Sequence, residues 1–185
     1  MVNEQVVGDA RVIKSVYNYA YNLYGYAGTY NGVTCGVSTL AGLNNILFHA
    51  YDDGQAIGIC EATSVTFQMP SDYQTGSNYT IAIHWTGVAT TGDVVWGIGS
   101  IALGDGDVYS TATRIYNTTT DAKIGTSYGK QETELSFSGT GVEADDDIAV
   151  IVYRDADNGA DTMSGDAIVS MICLYYTSNK LGTAI

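Results

Sequence analysis

The chain has 185 residues, a length that suits one domain with a hydrophobic core of its own. Its formal net charge is −13, from 20 acidic and 7 basic residues, which argues against direct binding of nucleic acid or of an anionic membrane. Only 15% of the residues are charged, against about 25% in a typical domain, so Thr, Ser, Asn, Gly and Tyr must supply much of the polar surface.

Targeting signals and cysteine motifs are not apparent in the sequence. The N-terminus, which begins Met1-Val2-Asn3-Glu4, lacks a basic segment followed by an apolar one, so no secretory signal is predicted. No apolar run approaches the roughly 18–20 residues of a membrane-spanning helix. Cys35, Cys60 and Cys173 have no CxxC spacing, which predicts neither a zinc site nor a complete disulfide framework.

Residues 1–55 form a segment rich in Tyr and Gly, which we predict to be an arm or a region of contact between chains. Tyrosine offers a large contact area with few rotatable bonds, although a folded aromatic layer within one subunit fits the same residues. Leu40 to Phe48, near the end of the segment, fits either a short helix or an irregular packed loop. The candidate inter-chain contacts are Tyr17, Tyr19, Tyr21, Tyr24, Tyr26 and Tyr30.

Residues 56–178 show the alternation and turn signals of a β domain. A strand is predicted over Tyr79 to Thr86, with Ile81, Ile83 and Trp85 directed toward the core. The next strand, Val94 to Ile101, is rich in Gly, which indicates a close approach of other groups to its backbone or a bulge.

The rest of the domain is predicted in the same way. Tyr109 to Tyr116 is expected to form a strand, and Asn117 to Gly129 a polar loop. Glu132 to Phe137 alternates again, and the closing hairpin is predicted over Ile148 to Tyr153 and Ala167 to Tyr176. Residues 179–185 are expected to be a flexible tail. About eight strands without a βαβ rhythm predict an all-β fold, an antiparallel sandwich of jelly-roll type.

Two stretches resemble small structural proteins of tailed bacteriophages. They are Thr80 to Trp85 followed by Gly92 to Trp96, and the ending Val152-Tyr153-Arg154-Asp155, Asp161-Thr162, Asp166-Ala167 and Leu174-Tyr175-Tyr176. The resemblance implies a jelly roll that decorates capsids or forms parts of tails and fibres. It favours a capsid decoration (cement) protein, made in the host cytoplasm, that binds the major capsid protein or other virion proteins as a homo-oligomer, with a trimer as the expected form. The alternative is a tail, fibre or receptor-binding virion protein that recognises carbohydrate.

Candidate catalytic and metal-binding residues receive structural interpretations. His49 and His84 are the only histidines, and neither stands in a nucleophile motif, so we predict no catalytic residues, no cofactor and no enzymatic activity. Asp155 to Asp166 departs from the EF-hand pattern, because glycine falls at its fifth position rather than its sixth. We predict a structural acidic turn rather than a strong calcium site, with a calcium site of another type as the alternative.

Two further features concern packing and sugar recognition. Arg154 ends a buried strand beside the acidic loop, so Asp161 and Asp166 are its candidate partners in a structural salt bridge. An exposed Trp or Tyr platform would favour sugar binding. Trp85 is in phase with the core residues of its strand, whereas the orientation of Trp96 stays open.

Overall fold

The computed structural model describes residues 18–19, 36–40, 43–49 and 62–179 of the chain. These ranges contain ten β-strands. They contain no helix, and hence none that is long and apolar enough to cross a membrane. The strands are β1 Asn18–Tyr19, β2 Gly36–Leu40, β3 Leu43–Phe48, β4 Ala62–Gln68, β5 Tyr79–Gly87, β6 Asp93–Leu103, β7 Ile115–Ala122, β8 Gln131–Phe137, β9 Asp147–Arg154 and β10 Ala167–Tyr175.

The strands form two antiparallel sheets with jelly-roll connectivity. The larger sheet has the order β2-β3-β10-β5-β8, with β1 also paired to β10, and the smaller sheet has the order β4-β9-β6-β7. Among the eight strands from β3 to β10, the first pairs with the last, the second with the seventh, the third with the sixth and the fourth with the fifth. This nesting is the jelly-roll topology, and the predicted fold class is confirmed.

Aromatic rings occupy the centre of the core between the sheets. Trp85 on β5 and Trp96 on β6 are at most 1% exposed, and their ring centroids lie 5.6 Å apart. Phe48 on β3 meets Trp96 edge to face at 5.4 Å. The prediction that Trp85 faces the core is therefore confirmed, and Trp96 is a core residue too, so neither tryptophan offers an exposed platform.

The segment before residue 56 contributes to the larger sheet. Within the predicted segment Leu40 to Phe48, the described residues Leu43–Phe48 form a strand rather than a helix or an irregular loop, because β3 pairs with β10 and directs Ile46 and Phe48 into the core. The sandwich thus begins N-terminal to the boundary that we predicted. The backbone of Tyr19 lies in β1 opposite Met171. The other candidate contact residues, Tyr17, Tyr21, Tyr24, Tyr26 and Tyr30, lie outside the described residues.

The fifth strand of the sandwich, β7, lies later in the chain than we predicted. The predicted strand Tyr109 to Tyr116 is mostly loop, whereas the predicted loop from Asn117 onward contains most of β7. Polar residues point inward from this edge strand and find partners there: Asn117 donates to the carbonyl of Ser136 at 2.8 Å, and Asp121 accepts from Trp85 Nε1 at 3.2 Å. Because both faces of β7 are polar, the alternation that marks a strand is hidden in its sequence.

Candidate functional site

Arg154, the predicted partner of the acidic loop, lies in the sandwich interior with its side chain 1% exposed. Its Nε and Nη2 atoms donate to the two carboxylate oxygens of Asp161 at 2.9 and 2.7 Å. The remaining N–H groups reach the carbonyls of His49, Met163 and Gly165. All five donors of the guanidinium are therefore engaged, and the loop that follows β9 is fixed to the sandwich.

The acidic loop from Asp155 to Asp166 has the bonding of a structural turn. Asp161 also accepts from the backbone N–H of Val95, and Asn158 donates to the carboxylate of Asp155. No group of three or more His, Cys, Asp or Glu side chains in the described ranges is placed to hold a metal ion. Asp166 ends the loop directly before β10, and its predicted part in the salt bridge stays a prediction.

His84 lies on the outward side of β5 beside Cys173 and Glu132. The Cys173 sulfur lies 3.8 Å from His84 Nε2, and a Glu132 carboxylate oxygen lies 3.4 Å from the same nitrogen. A nucleophile, base and acid in series would use both ring nitrogens. Burial, followed by the charge of Lys130, lowers the pKa of His84, and burial, followed by the charge of Glu132, raises the pKa of the Cys173 thiol to about 11. A neutral thiol is a weak nucleophile, so this cluster is not arranged for covalent catalysis.

The outer face of the smaller sheet has a different construction, built on two glycines of β6. Gly97 lies between Tyr153 on β9 and Thr118 on β7, and Gly99 occupies the next outward position along the strand. A Cβ at Gly97 would collide with the Tyr153 ring, and one at Gly99 would lie 2.6 Å from Arg114 Cδ. The missing side chains therefore leave a shallow trough, which side chains from the neighbouring strands and from the β6–β7 loop cover.

Tyr153 and Tyr116 fill this trough as an edge-to-face pair. Their ring centroids are 6.5 Å apart with an interplanar angle of 64°. Tyr153 is 2% exposed although it points away from the core, whereas Tyr116 is 43% exposed. The buried ring of Tyr153 thus supports the ring of Tyr116, which solvent can reach. We call the surface formed by Gly97, Gly99, Arg114, Tyr116 and Tyr153 the Tyr116 face.

Arg114 is the last residue of the β6–β7 loop, two residues before Tyr116, and its side chain lies on the same side of the sheet as the Tyr116 ring. Its Nε atom is buried without a hydrogen-bond partner. No carboxylate among the described residues lies within ion-pair distance of its guanidinium, unlike that of Arg154. The Tyr116 face therefore holds a half-buried cation to which the described part of the chain supplies no counter-charge.

Hydroxyl and amide groups surround the Tyr116 face on both flanking strands. The outward residues of the two strands beside β9 and β6 are exposed. They are Ser64, Thr66 and Gln68 on β4, and Thr118 and Thr120 on β7. Aromatic rings among short polar side chains make a surface that can combine stacking with hydrogen bonding.

A second exposed apolar group lies at one end of the sandwich, outside the Tyr116 face. It consists of Val88, Ile124 and Tyr128, which are between 44 and 51% exposed. The loop that carries Ile124 and Tyr128 is held by Lys123, whose ammonium donates to the carbonyls of Ile124 and Thr126 at 3.1 and 2.8 Å. Among the residues that the structure describes, no tyrosine pair supports this group from below, so it serves as a reference surface for the Tyr116 face.

The sequence indicated one component of the Tyr116 face. The glycine content of β6 predicted a close approach to its backbone, and the contacts over Gly97 and Gly99 confirm it. Arg114, Tyr116 and Tyr153 received no site role from the sequence, because only the strand order brings Tyr153 next to Arg114 and Tyr116.

Comparisons with known proteins give likenesses of structure alone. No family model matches the chain, and no curated protein matches it. Among solved structures, the chain is similar to a carbohydrate-binding module of lichenase 5A from Cellvibrio mixtus in complex with cellotriose, at 13% identity and a TM-score of 0.46 over 87% of this chain and 96% of that one.

Two further solved structures show the same level of similarity. One holds the CBM22-1 and GH10 modules of xylanase 10B from Clostridium thermocellum with xylohexaose, at 10% identity and a TM-score of 0.44 over 83% of this chain; our chain spans only 27% of that one. The other is a carbohydrate-binding module with β-1,4-galactotriose, at 13% identity and a TM-score of 0.37 over 77% of this chain and 82% of that one. At such values the likeness concerns general architecture and carries no information on ligands.

Proposed function

We propose that this chain is a carbohydrate-recognition domain that binds its ligand on the Tyr116 face without converting it. The observation that carries the proposal is the ring of Tyr116, which is 43% exposed and is held edge to face by the buried ring of Tyr153. An exposed aromatic ring in a fixed position offers its apolar face to the C–H side of a sugar ring, at a small cost in conformational entropy.

The polar groups beside Tyr116 suit the same class of ligand. Thr118 and Thr120 lie beyond it on the same side of β7, and Ser64 and Thr66 lie on the far strand of the sheet. Short hydroxyl side chains can donate and accept hydrogen bonds, as the hydroxyls of a sugar require. An open sheet face of this kind also suits an extended chain better than a small enclosed ligand.

The test is a glycan array probed with the full chain and with two variants. Tyr116→Ala removes the stacking surface, and Tyr128→Ala removes a similarly exposed tyrosine, 51% accessible, from the reference surface. We expect binding to be lost in Tyr116→Ala and kept in Tyr128→Ala. Equal binding by both variants, or no glycan bound by the unmodified chain, would overturn the proposal.

A place in a virus particle stays a separate proposal, made from the sequence resemblance. Decoration of a capsid and recognition of a receptor glycan differ in partner. The two functions can be separated by asking whether the chain co-sediments with virus heads, and whether soluble glycan displaces it. Co-sedimentation unaffected by glycan and by Tyr116→Ala would favour the decoration function.

A further inference from the structure

Arg114 is the feature of the Tyr116 face whose positive charge a neutral sugar would leave uncompensated, even where sugar hydroxyls accept hydrogen bonds from it. We infer that Arg114 makes this face selective for a carbohydrate that carries an isolated carboxylate, that is, a uronic-acid type of sugar within an otherwise neutral glycan. The inference rests on the proposed function and adds the chemical class of the ligand. It is argued from the position of the guanidinium, its partners and the charge of the rest of the chain.

The position of Arg114 is fixed by the sheet. The Cβ that Gly99 lacks would lie 2.6 Å from Arg114 Cδ and 2.7 Å from Tyr116 Cε1, so the arginine stem and the tyrosine ring share the same space over β6. A sugar stacked on Tyr116 would therefore lie beside the guanidinium. Because the stem is packed, less conformational freedom is lost when the guanidinium engages a ligand.

The described residues leave the bonding of Arg114 incomplete. Its Nε atom is buried without a hydrogen-bond partner, and the ion pairs among the described residues do not include its guanidinium. The chain has 20 acidic residues, so a carboxylate neighbour would be easy to place. Arg154 has such a partner in Asp161, and Lys123 is held by backbone carbonyls. A planar guanidinium without a counter-charge matches a carboxylate at two points.

The net charge of the chain limits the kind of anion. At −13 the protein repels polyanions, such as nucleic acids and chains in which every sugar is charged. A single carboxylate beside Arg114 responds mainly to the local cation, because salt screens charges more than about 8 Å away at physiological ionic strength. The face therefore fits an isolated acidic sugar better than a continuous polyuronate.

The experiment uses the full chain on an array of paired glycans. Each pair has one oligosaccharide of glucose, xylose or galactose that ends in a single glucuronic acid, and the same compound with the carboxyl reduced to the alcohol; sulfated analogues and polygalacturonate are included. We expect the unmodified chain to prefer the acid by about tenfold. Arg114→Gln should abolish the preference, so that the variant binds the acid and its reduced partner equally well. Lys130→Gln, which removes one exposed cation elsewhere, should leave the preference unchanged.

The possible failures differ. Equal binding of the acid and its reduced partner, or a preference that survives Arg114→Gln, overturns the inference and leaves the proposed function standing. A preference for sulfate or for polygalacturonate over the isolated acid overturns the assignment of the carboxylate. Binding to none of the glycans overturns the inference and the proposed function together.

Discussion

Arg154 and Asp161 form a two-point ion pair inside the sandwich, with N–O distances of 2.9 and 2.7 Å and side chains that are 1 and 2% exposed. The pair joins the end of β9 to the loop that leads into β10. Asp161 also accepts a hydrogen bond from the N–H of Val95 on β6 at 3.0 Å. One carboxylate thus connects β6 and β9 to the loop.

Asp161→Asn should destabilise the protein by about 3 kcal/mol, because removal of one partner leaves a buried guanidinium without a counter-charge. The amide keeps the size of the side chain, so the change tests charge and bonding rather than volume. Asp157→Asn, in the exposed part of the same loop, is the matched control. The measurement is chemical denaturation followed by circular dichroism, and equal midpoints for the two variants would contradict the role of the pair.

Gly97→Ala should destabilise the smaller sheet, because the new methyl group would occupy the space of the Tyr153 ring. Overpacking of this kind costs about 1–3 kcal/mol. The cost should fall when Tyr153→Ala is introduced as well, so the free energies of unfolding should be non-additive. Gly159→Ala, where a Cβ meets no atom within 4 Å, is the control. Additive effects of the two substitutions would argue against the packed trough.

The Cys173 thiol should make stability depend on alkaline pH. Burial raises its folded-state pKa to about 11, against about 8.5 in an unfolded chain. The folded protein therefore keeps this proton when the unfolded chain has lost it, and stability that is present below about pH 8.5 falls as the pH rises toward 11.

The comparison of Cys173→Ala with the unmodified chain isolates this effect from the tyrosines, which also titrate at high pH. We expect the unmodified chain to lose up to about 3 kcal/mol more than the variant between pH 8 and pH 11. Parallel losses in denaturation curves would show that the thiol titrates as it does in water.

Assembly as a homotrimer stays a prediction from the sequence resemblance. Light scattering at several concentrations should give three times the 19.6 kDa mass of the chain. A monomer mass at every concentration, with and without added glycan, would contradict it. Deletion of residues 1–30 tests whether the tyrosine-rich segment joins chains. If it does, the truncated protein should be folded and monomeric.

The fold could be predicted where the spacing of apolar residues gives the direction of the side chains. On β5, Ile81, Ile83 and Trp85 face the core as their spacing indicates, although the residues between them are largely buried as well. On β3, the apolar residues are spaced like those of a helix, and pairing with β10 decides the structure instead. The Tyr116 face could not be predicted, because Tyr116 and Tyr153 become neighbours only through the strand order β9-β6-β7.

The most direct test of carbohydrate recognition at the Tyr116 face is a titration of the isotope-labelled chain with the best glycan from the array, followed by NMR. The amide signals of Gly97, Gly99 and Thr118 should shift in a saturable way, since these residues lie under and beside the exposed ring of Tyr116. The signals of Val88 and Tyr128 on the reference surface should stay in place. Saturable shifts at the reference surface with none at the two glycines would contradict the account.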